Sequence, residues 1–303
     1  MKQKIIIDTD SGHDDALAIM LLAKSDIVDI QAITTVAGNA TIDKVTNNAR
    51  FIIDLIKLNV PIFSGARKPL TRPLIQAVVH GDSGLGGAVI NKIEKLTGNA
   101  VEKIIEIVRL NPGKISLVVI GPETNIGKAF LLDPMLPKML KQIVIMGGAI
   151  EVPGNKNRVS EFNIFVDPEA AKIVFDSPVK KVVVPLDQCN KIPLYMEDFQ
   201  RLRGTPIFKP IISMMREFIK GILQFENSKG ALVYDALAAY YLINPKAFTL
   251  KSMDVQIETK GELTQGMTVA DRRNWGQKKP NVAVVVEIDR DAFVRDFITL
   301  LSK

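Results

Sequence analysis

Five short runs rich in β-branched residues, at positions 5–7, 30–36, 116–120, 142–146 and 181–185, limit the fold more than any other feature of this chain. Strands with one wet face alternate apolar and polar residues, whereas apolar residues in succession belong to strands covered on both faces. Helical patterns separate the runs, at 43–58, 100–110 and 168–175. This alternation predicts an α/β fold built on an open, mostly parallel, Rossmann-like sheet with helices on both faces. With 303 residues, 47% of them hydrophobic, the chain can bury such a sheet, and no linker or repeat divides it. A single domain over 1–303 is therefore expected. The last third reads as helices over 211–226 and 231–243, strands over 254–258 and 282–287, and a final helix running from an N-cap at Asp289 to Leu301. The polar segment 261–280 is left open between a hairpin and a mobile loop.

Composition removes several classes. One cysteine, Cys189, cannot form an internal disulfide, so a disulfide-stapled secreted module is excluded, and with no metal-ligand partner near it in sequence it reads as a passive thiol. The N-terminus is charged from its second residue and lacks a signal-peptide apolar core, and no apolar run is long enough to span a bilayer. A soluble, cytoplasmic protein without a membrane partner is the expectation. The net charge of +6 raises the question of nucleic acid, but the basic residues are scattered and not interleaved with stacking aromatics, so no nucleic-acid partner is expected.

The chemistry concentrates in Asp8-Thr9-Asp10-Ser11-Gly12-His13-Asp14-Asp15, directly after the first strand. Four carboxylates within eight positions raise one another's pKa unless positive charge compensates them. Asp14 and Asp15 open the next helix, whose dipole offsets only part of that charge. A hard divalent cation with oxygen ligands is the natural compensator, and the carboxyl end of a strand is where open α/β sheets bind ligands. Helix capping alone accounts for one or two such residues, not for the set.

An EF-hand reading fails because the sixth and twelfth positions from Asp8 are His13 and Ile19, and a strand precedes the loop. An Asp-x-Asp after a first strand also resembles the Mg²⁺-dependent haloacid-dehalogenase-like phosphohydrolases. That resemblance places Gly12 where the family has Thr or Val and leaves Asp14 and Asp15 without a role.

A second resemblance covers much more of the chain. The Asp loop through Ala16 is similar to the signature of the inosine–uridine-preferring nucleoside hydrolases. Further blocks match in order: Thr34-Thr35-Val36-Ala37-Gly38-Asn39, His80-Gly81-Asp82-Ser83-Gly84-Leu85-Gly86, Gly121-Pro122-Glu123-Thr124-Asn125 and Met146-Gly147-Gly148. Glu161-Phe162-Asn163-Ile164-Phe165-Val166-Asp167-Pro168-Glu169-Ala170 and Tyr234-Asp235-Ala236-Leu237-Ala238 complete the set.

The resemblance implies Ca²⁺-dependent cleavage of the N-glycosidic bond of ribonucleosides to free base and ribose. Side chains matching Asp10, Asp15 and Asp235 and the carbonyl matching Thr124 would hold the cation, Asp14 would be the general base on a metal-bound water, and Asp8 would support the ligands by hydrogen bonds. Asn39, Asn155, Glu161 and Asn163 match ribose-binding positions, and Met146 an apolar wall. Asn39 and Asn155 also suit turns beside glycine, and Met146 also suits plain core. Many relatives carry His before the last metal Asp as the acid for the departing base; here that residue is Tyr234, as in the purine-specific branch, where an aromatic stacks on the base. Tyr234 therefore implies purine preference, with pyrimidine or nonspecific hydrolysis as the alternative. His80 is expected to contact the base or close the pocket, Ser83 departs from the family's usual Asp, and Trp275 reads as exposed or half-packed. A homodimer or homotetramer and a place in nucleoside salvage are likewise implied by the resemblance alone.

Overall fold

A computed structural model describes residues 2–90, 98–273 and 279–303. Trp275 lies outside the described residues. In chain order the first half comprises β1 (Gln3–Thr9), α1 (His13–Ala23), β2 (Val28–Thr35), α2 (Ile42–Leu55), β3 (Ile62–Ser64), α3 (Ala100–Leu110), β4 (Ile115–Val119), α4 (Thr124–Leu132), α5 (Leu136–Met139) and β5 (Gln142–Met146). The second comprises α6 (Phe162–Val166), α7 (Pro168–Asp176), β6 (Lys181–Val184), α8 (Leu186–Cys189), β7 (Pro193–Leu194), α9 (Met196–Gln200), α10 (Phe208–Phe225), β8 (Ala231–Leu232) and α11 (Tyr234–Ile243). A 3₁₀ turn, β9 (Phe248–Met253), β10 (Val255–Ile257), β11 (Thr268–Ala270), β12 (Val282–Ile288) and α12 (Arg290–Leu301) follow.

Eight strands form one sheet in the order β3-β2-β1-β4-β5-β6-β12-β9. All neighbours are parallel except the edge pair β12–β9. Side chains alternate across a strand, so Ile5 and Ile7 enter the core on one face and Ile6 the core on the other. Every residue of β4 and β5 is buried, as consecutive apolar residues require when both faces are covered. The α/β architecture expected from the runs is the one observed.

Two helices decide where the site lies. Apolar around nearly their whole circumference, α1 and α11 are buried over almost their full length. A helix with no polar face belongs inside a protein. They pack against each other in the larger core and bring their first turns together. Meanwhile the chain runs outward from β1 through β2 to β3 and returns to β4 on the other side, so β1 and β4 flank the switch point where the sheet leaves a crevice at its carboxyl end.

The C-terminal third differs in detail from the expectation. The expected helix from 231 begins only at Tyr234, because Ala231 and Leu232 pair as a strand with β7. The strand expected at 254–258 is β10, which pairs antiparallel with β11, and the unexpected β9 before it closes the sheet against β12. Part of 261–280 is therefore a hairpin. The last helix starts as expected, with Asp289 accepting from the Ala292 amide at 2.9 Å. Cys189 is buried and free. No helix among the described residues is long and apolar enough to cross a membrane.

Candidate active site

The site is assembled from strand ends and the first turns of α1 and α11. Asp8, next to last in β1, has Oδ1 accepting from Thr34 of β2 (2.5 Å) and from Asn125 of α4 (2.8 Å), while Oδ2 is buried without a partner. Burial pushes its carboxyl up to about 7. Beyond it the chain turns sharply: Ser11 has φ 35, in the left-handed region that non-glycine residues rarely enter. Its carbonyl accepts from Asn48 at 3.0 Å.

Asp10 is walled in by glycines. A Cβ on Gly38 would lie 2.2 Å from Asp10 Oδ2, and one on Gly121 would lie 3.0 Å from Oδ1. Only residues without a side chain let the β2 and β4 loops close this tightly, and in exchange the Asn39 amide donates to Asp10 Oδ2 at 2.7 Å. Asp15 accepts from the Thr9 hydroxyl, the Gly12 amide (2.7 Å) and Asn39 Nδ2 (3.2 Å), so it does cap α1 as well as face the site.

One oxygen each from Asp14, Asp15 and Asp235 lies within 4.8 Å of the others. Asp15 and Asp235 stand carboxyl to carboxyl, with Asp14 beside them. Burial first, and then neighbouring negative charge, holds the Asp10, Asp14 and Asp235 carboxyls well above the usual carboxylate range. A proton shared between two buried carboxylates does what a bound cation does: it relieves like-charge repulsion. The all-oxygen donor set suits a hard divalent ion. The tightest trio thus contains Asp14 in place of the expected Asp10, which lines the same cavity with Oδ2 turned to Asn39.

That cavity, of about 210 Å³, opens beside the cluster. Asp10, Asp14 and Asp235 lie on its wall, as do Asn39, His80, Met146, Asn155, Glu161, Asn163 and Tyr234. Asp8, Asp15 and Thr124 are not among the residues that line it. Thr124 opens α4 with its hydroxyl donating to Asp167 at 2.7 Å. Asn163 donates to the Met146 carbonyl at 3.2 Å, and Asn155 Oδ1 accepts from the Phe162 amide at 3.0 Å.

Glu161 caps the short α6, its carboxylate taking the amides of Asn163 (2.9 Å), Ile164 (3.2 Å) and Gly148 (3.2 Å). Burial still pushes its carboxyl up to about 7 from an ordinary 4.5. Folded protein therefore keeps this proton over a range where the unfolded chain has released it, so stability falls as pH rises from about 4.5 to about 7 and is level above. In cation-free buffer this group is expected to remove about 3 kcal/mol across that window. Glu161→Gln should flatten the corresponding slope in urea-unfolding midpoints; an unchanged slope would contradict the assignment.

His13 and His80 form a stacked group with Phe218, the ring centroids of Phe218 lying 4.9 Å from His13 and 5.3 Å from His80. His13 Nε2 donates to the Gly86 carbonyl at 2.8 Å, and His80 Nδ1 lies 3.0 Å from His13 Nδ1 and accepts from the His13 backbone amide at 3.4 Å. Burial keeps both neutral, pushing His13 down to about 4 and His80 well below its ordinary value.

Several lining residues were not singled out from the sequence: Glu226, Lys156, Phe218 and Phe225. Glu226 follows the last turn of α10 and accepts from the Tyr234 hydroxyl and the Asn155 side chain. Its only trace in the sequence is an acidic residue closing an amphipathic helix eight positions before Tyr234. Among the described residues on the wall, Lys156 is the one cation against five carboxylates, those of Asp10, Asp14, Glu161, Glu226 and Asp235.

Comparison with known proteins agrees with this geometry. A family model described as inosine-uridine preferring nucleoside hydrolase matches residues 5–295. The pyrimidine-specific ribonucleoside hydrolase RihA of Citrobacter koseri is 39% identical over 303 residues, covering 97% of this chain and 96% of that protein. Among solved structures, the plant nucleoside hydrolase PpNRh1 superposes with a TM-score of 0.93 at 29% identity, covering 100% of this chain and 99% of that one. A purine-preferring ribonucleoside hydrolase from Gardnerella vaginalis gives a TM-score of 0.91 at 28% identity, covering 99% and 98%. With its Asp loop, switch-point cavity and whole length accounted for, this chain belongs to the inosine–uridine-preferring nucleoside hydrolase family.

Proposed function

We propose that the protein hydrolyses the N-glycosidic bond of ribonucleosides to free base and ribose, uses Ca²⁺, and prefers purine nucleosides. The observation that carries this reading is the buried carboxylate cluster of Asp14, Asp15 and Asp235 at the wall of a small-molecule cavity. Asp10, Asp15, Asp235 and the Thr124 carbonyl would hold the cation, with Asp8 bracing the loop from β2 and α4. When bound, the ion supplies positive charge that acidifies water and grips the ribose diol.

The chain's own groups do the rest. Asp14 takes the proton from the attacking water. Asn39, Asn155, Glu161 and Asn163 offer amides and carboxylates to the sugar hydroxyls, and Met146 walls the ring. These contacts accelerate the reaction to the extent that they tighten as C1′ becomes oxocarbenium-like. Asp14 and Asp15, which the phosphohydrolase reading leaves without a role, belong to the cluster, which argues against that reading.

Tyr234, 7% exposed on the cavity wall, supports purine preference, since an aromatic face favours the electron-poor protonated purine by about 1 kcal/mol. The second reading, pyrimidine preference, is favoured by the name of the relative at 39% identity. Ribose release from inosine and uridine in parallel separates them. Inosine is expected to lead in kcat/KM by about fivefold or more; equal values would remove the stacking argument, and a uridine lead would establish the second reading.

A further inference from the structure

We infer that Glu226 is the acid that protonates the departing base, with Tyr234 and Asn155 as the residues that position it. This rests on the nucleoside-hydrolase reading above. Breaking the C1′–N bond sends both electrons to a ring nitrogen, and an unprotonated base leaves poorly. The family's usual donor, a His at the position of Tyr234, is missing.

The other donors on the wall are held elsewhere, Lys156 Nζ over the Phe162 ring at 5.7 Å from its centroid. His13 gives its Nε2 proton to the Gly86 carbonyl, and His80 turns its Nδ1 to His13 within their stack with Phe218. The Tyr234 hydroxyl is already donated to Glu226 Oε2. Glu226 lines the cavity, mostly buried, with Tyr234 and Asn155 fixing its orientation from α11 and from the loop before α6. Burial raises its carboxyl, and it shares the cavity wall with the carboxyls of Asp14 and Glu161. Carboxyls that repel one another divide into an acid and a base. Asp14 stands at the first turn of α1 and Glu226 beyond the last turn of α10, so the two roles fall on separate elements, as in glycosidases that use one carboxyl on the leaving group and another on water.

The step balances. Water oxygen bonds to C1′ as the C1′–N bond breaks. The water proton goes to Asp14, the Glu226 proton goes from the oxygen not engaged by Tyr234 to the base nitrogen, and exchange with solvent restores both carboxyls.

A leaving group that needs no proton tests this. Turnover is measured on inosine and on 4-nitrophenyl β-D-ribofuranoside, whose nitrophenolate departs unaided. Glu226→Gln is expected to lower the ratio of kcat for inosine to kcat for the nitrophenyl riboside by about 100-fold. Tyr234→Phe, which keeps the ring and removes the hydroxyl that holds Glu226, is expected to lower it by about tenfold. A ratio within about threefold of wild type in both variants overturns the inference, as does an equal loss on both substrates. Should Glu226→Gln fail to fold, the Tyr234→Phe ratio decides alone. Wild-type protein that cleaves neither substrate removes the hydrolase reading itself, a result distinct from an unchanged ratio.

Discussion

Asp14→Asn is expected to lower kcat on inosine by about 10³- to 10⁴-fold while KM stays within about threefold. The substitution is nearly isosteric, so the packing of α1 survives, and an amide cannot accept the water proton. Asp14 is 4% exposed, lines the cavity, and stands in one cluster with Asp235 at the start of α11. None of the groups assigned to the sugar is touched, which is why KM should hold. Initial rates across a substrate series check it, and a variant within about tenfold of wild-type kcat would mean that the base lies elsewhere.

Asp235→Asn should separate cation binding from folding. In the cation-free protein this carboxyl is buried against Asp14, Asp15 and Asp10, so neutralising it relieves repulsion. The variant is expected to unfold at a higher temperature than wild type without cation, yet to bind Ca²⁺ about 100-fold more weakly, since losing even an outer-shell partner costs about 10- to 100-fold. Stabilisation by added Ca²⁺, large in wild type, should shrink accordingly. Calorimetric titration and thermal unfolding read both effects. Unchanged Ca²⁺ affinity would refute Asp235 as a ligand.

How much of this was legible in the sequence depended on whether a feature was local. The buried strands announced themselves because apolar residues in succession have one meaning in an α/β chain, and the Asp loop because four carboxylates after such a strand have few uses. The glycines of the Asn39 and Thr124 blocks were visible as motifs, but their purpose, the close approach of two loops to Asp10, appears only in three dimensions. Edge strands escaped notice: β3 is three residues long, and the inner residues of β9 are exposed, so neither shows the apolar run of a central strand. Ala231 and Leu232 read as helix since their pairing partner is distant β7. Glu226 was invisible for the same reason, its setting made by α11 and the Asn155 loop and not by its sequence neighbours.

The central claim is that this carboxylate site splits a nucleoside with water and a divalent cation. The most direct test follows inosine by proton NMR with wild-type protein, before chelation, after exhaustive chelation, and after Ca²⁺ is restored. The account predicts free hypoxanthine and ribose in equal amounts, loss of turnover on chelation, and its return with Ca²⁺. Inosine left intact in the presence of Ca²⁺, or cleaved at the same rate after chelation, would contradict it.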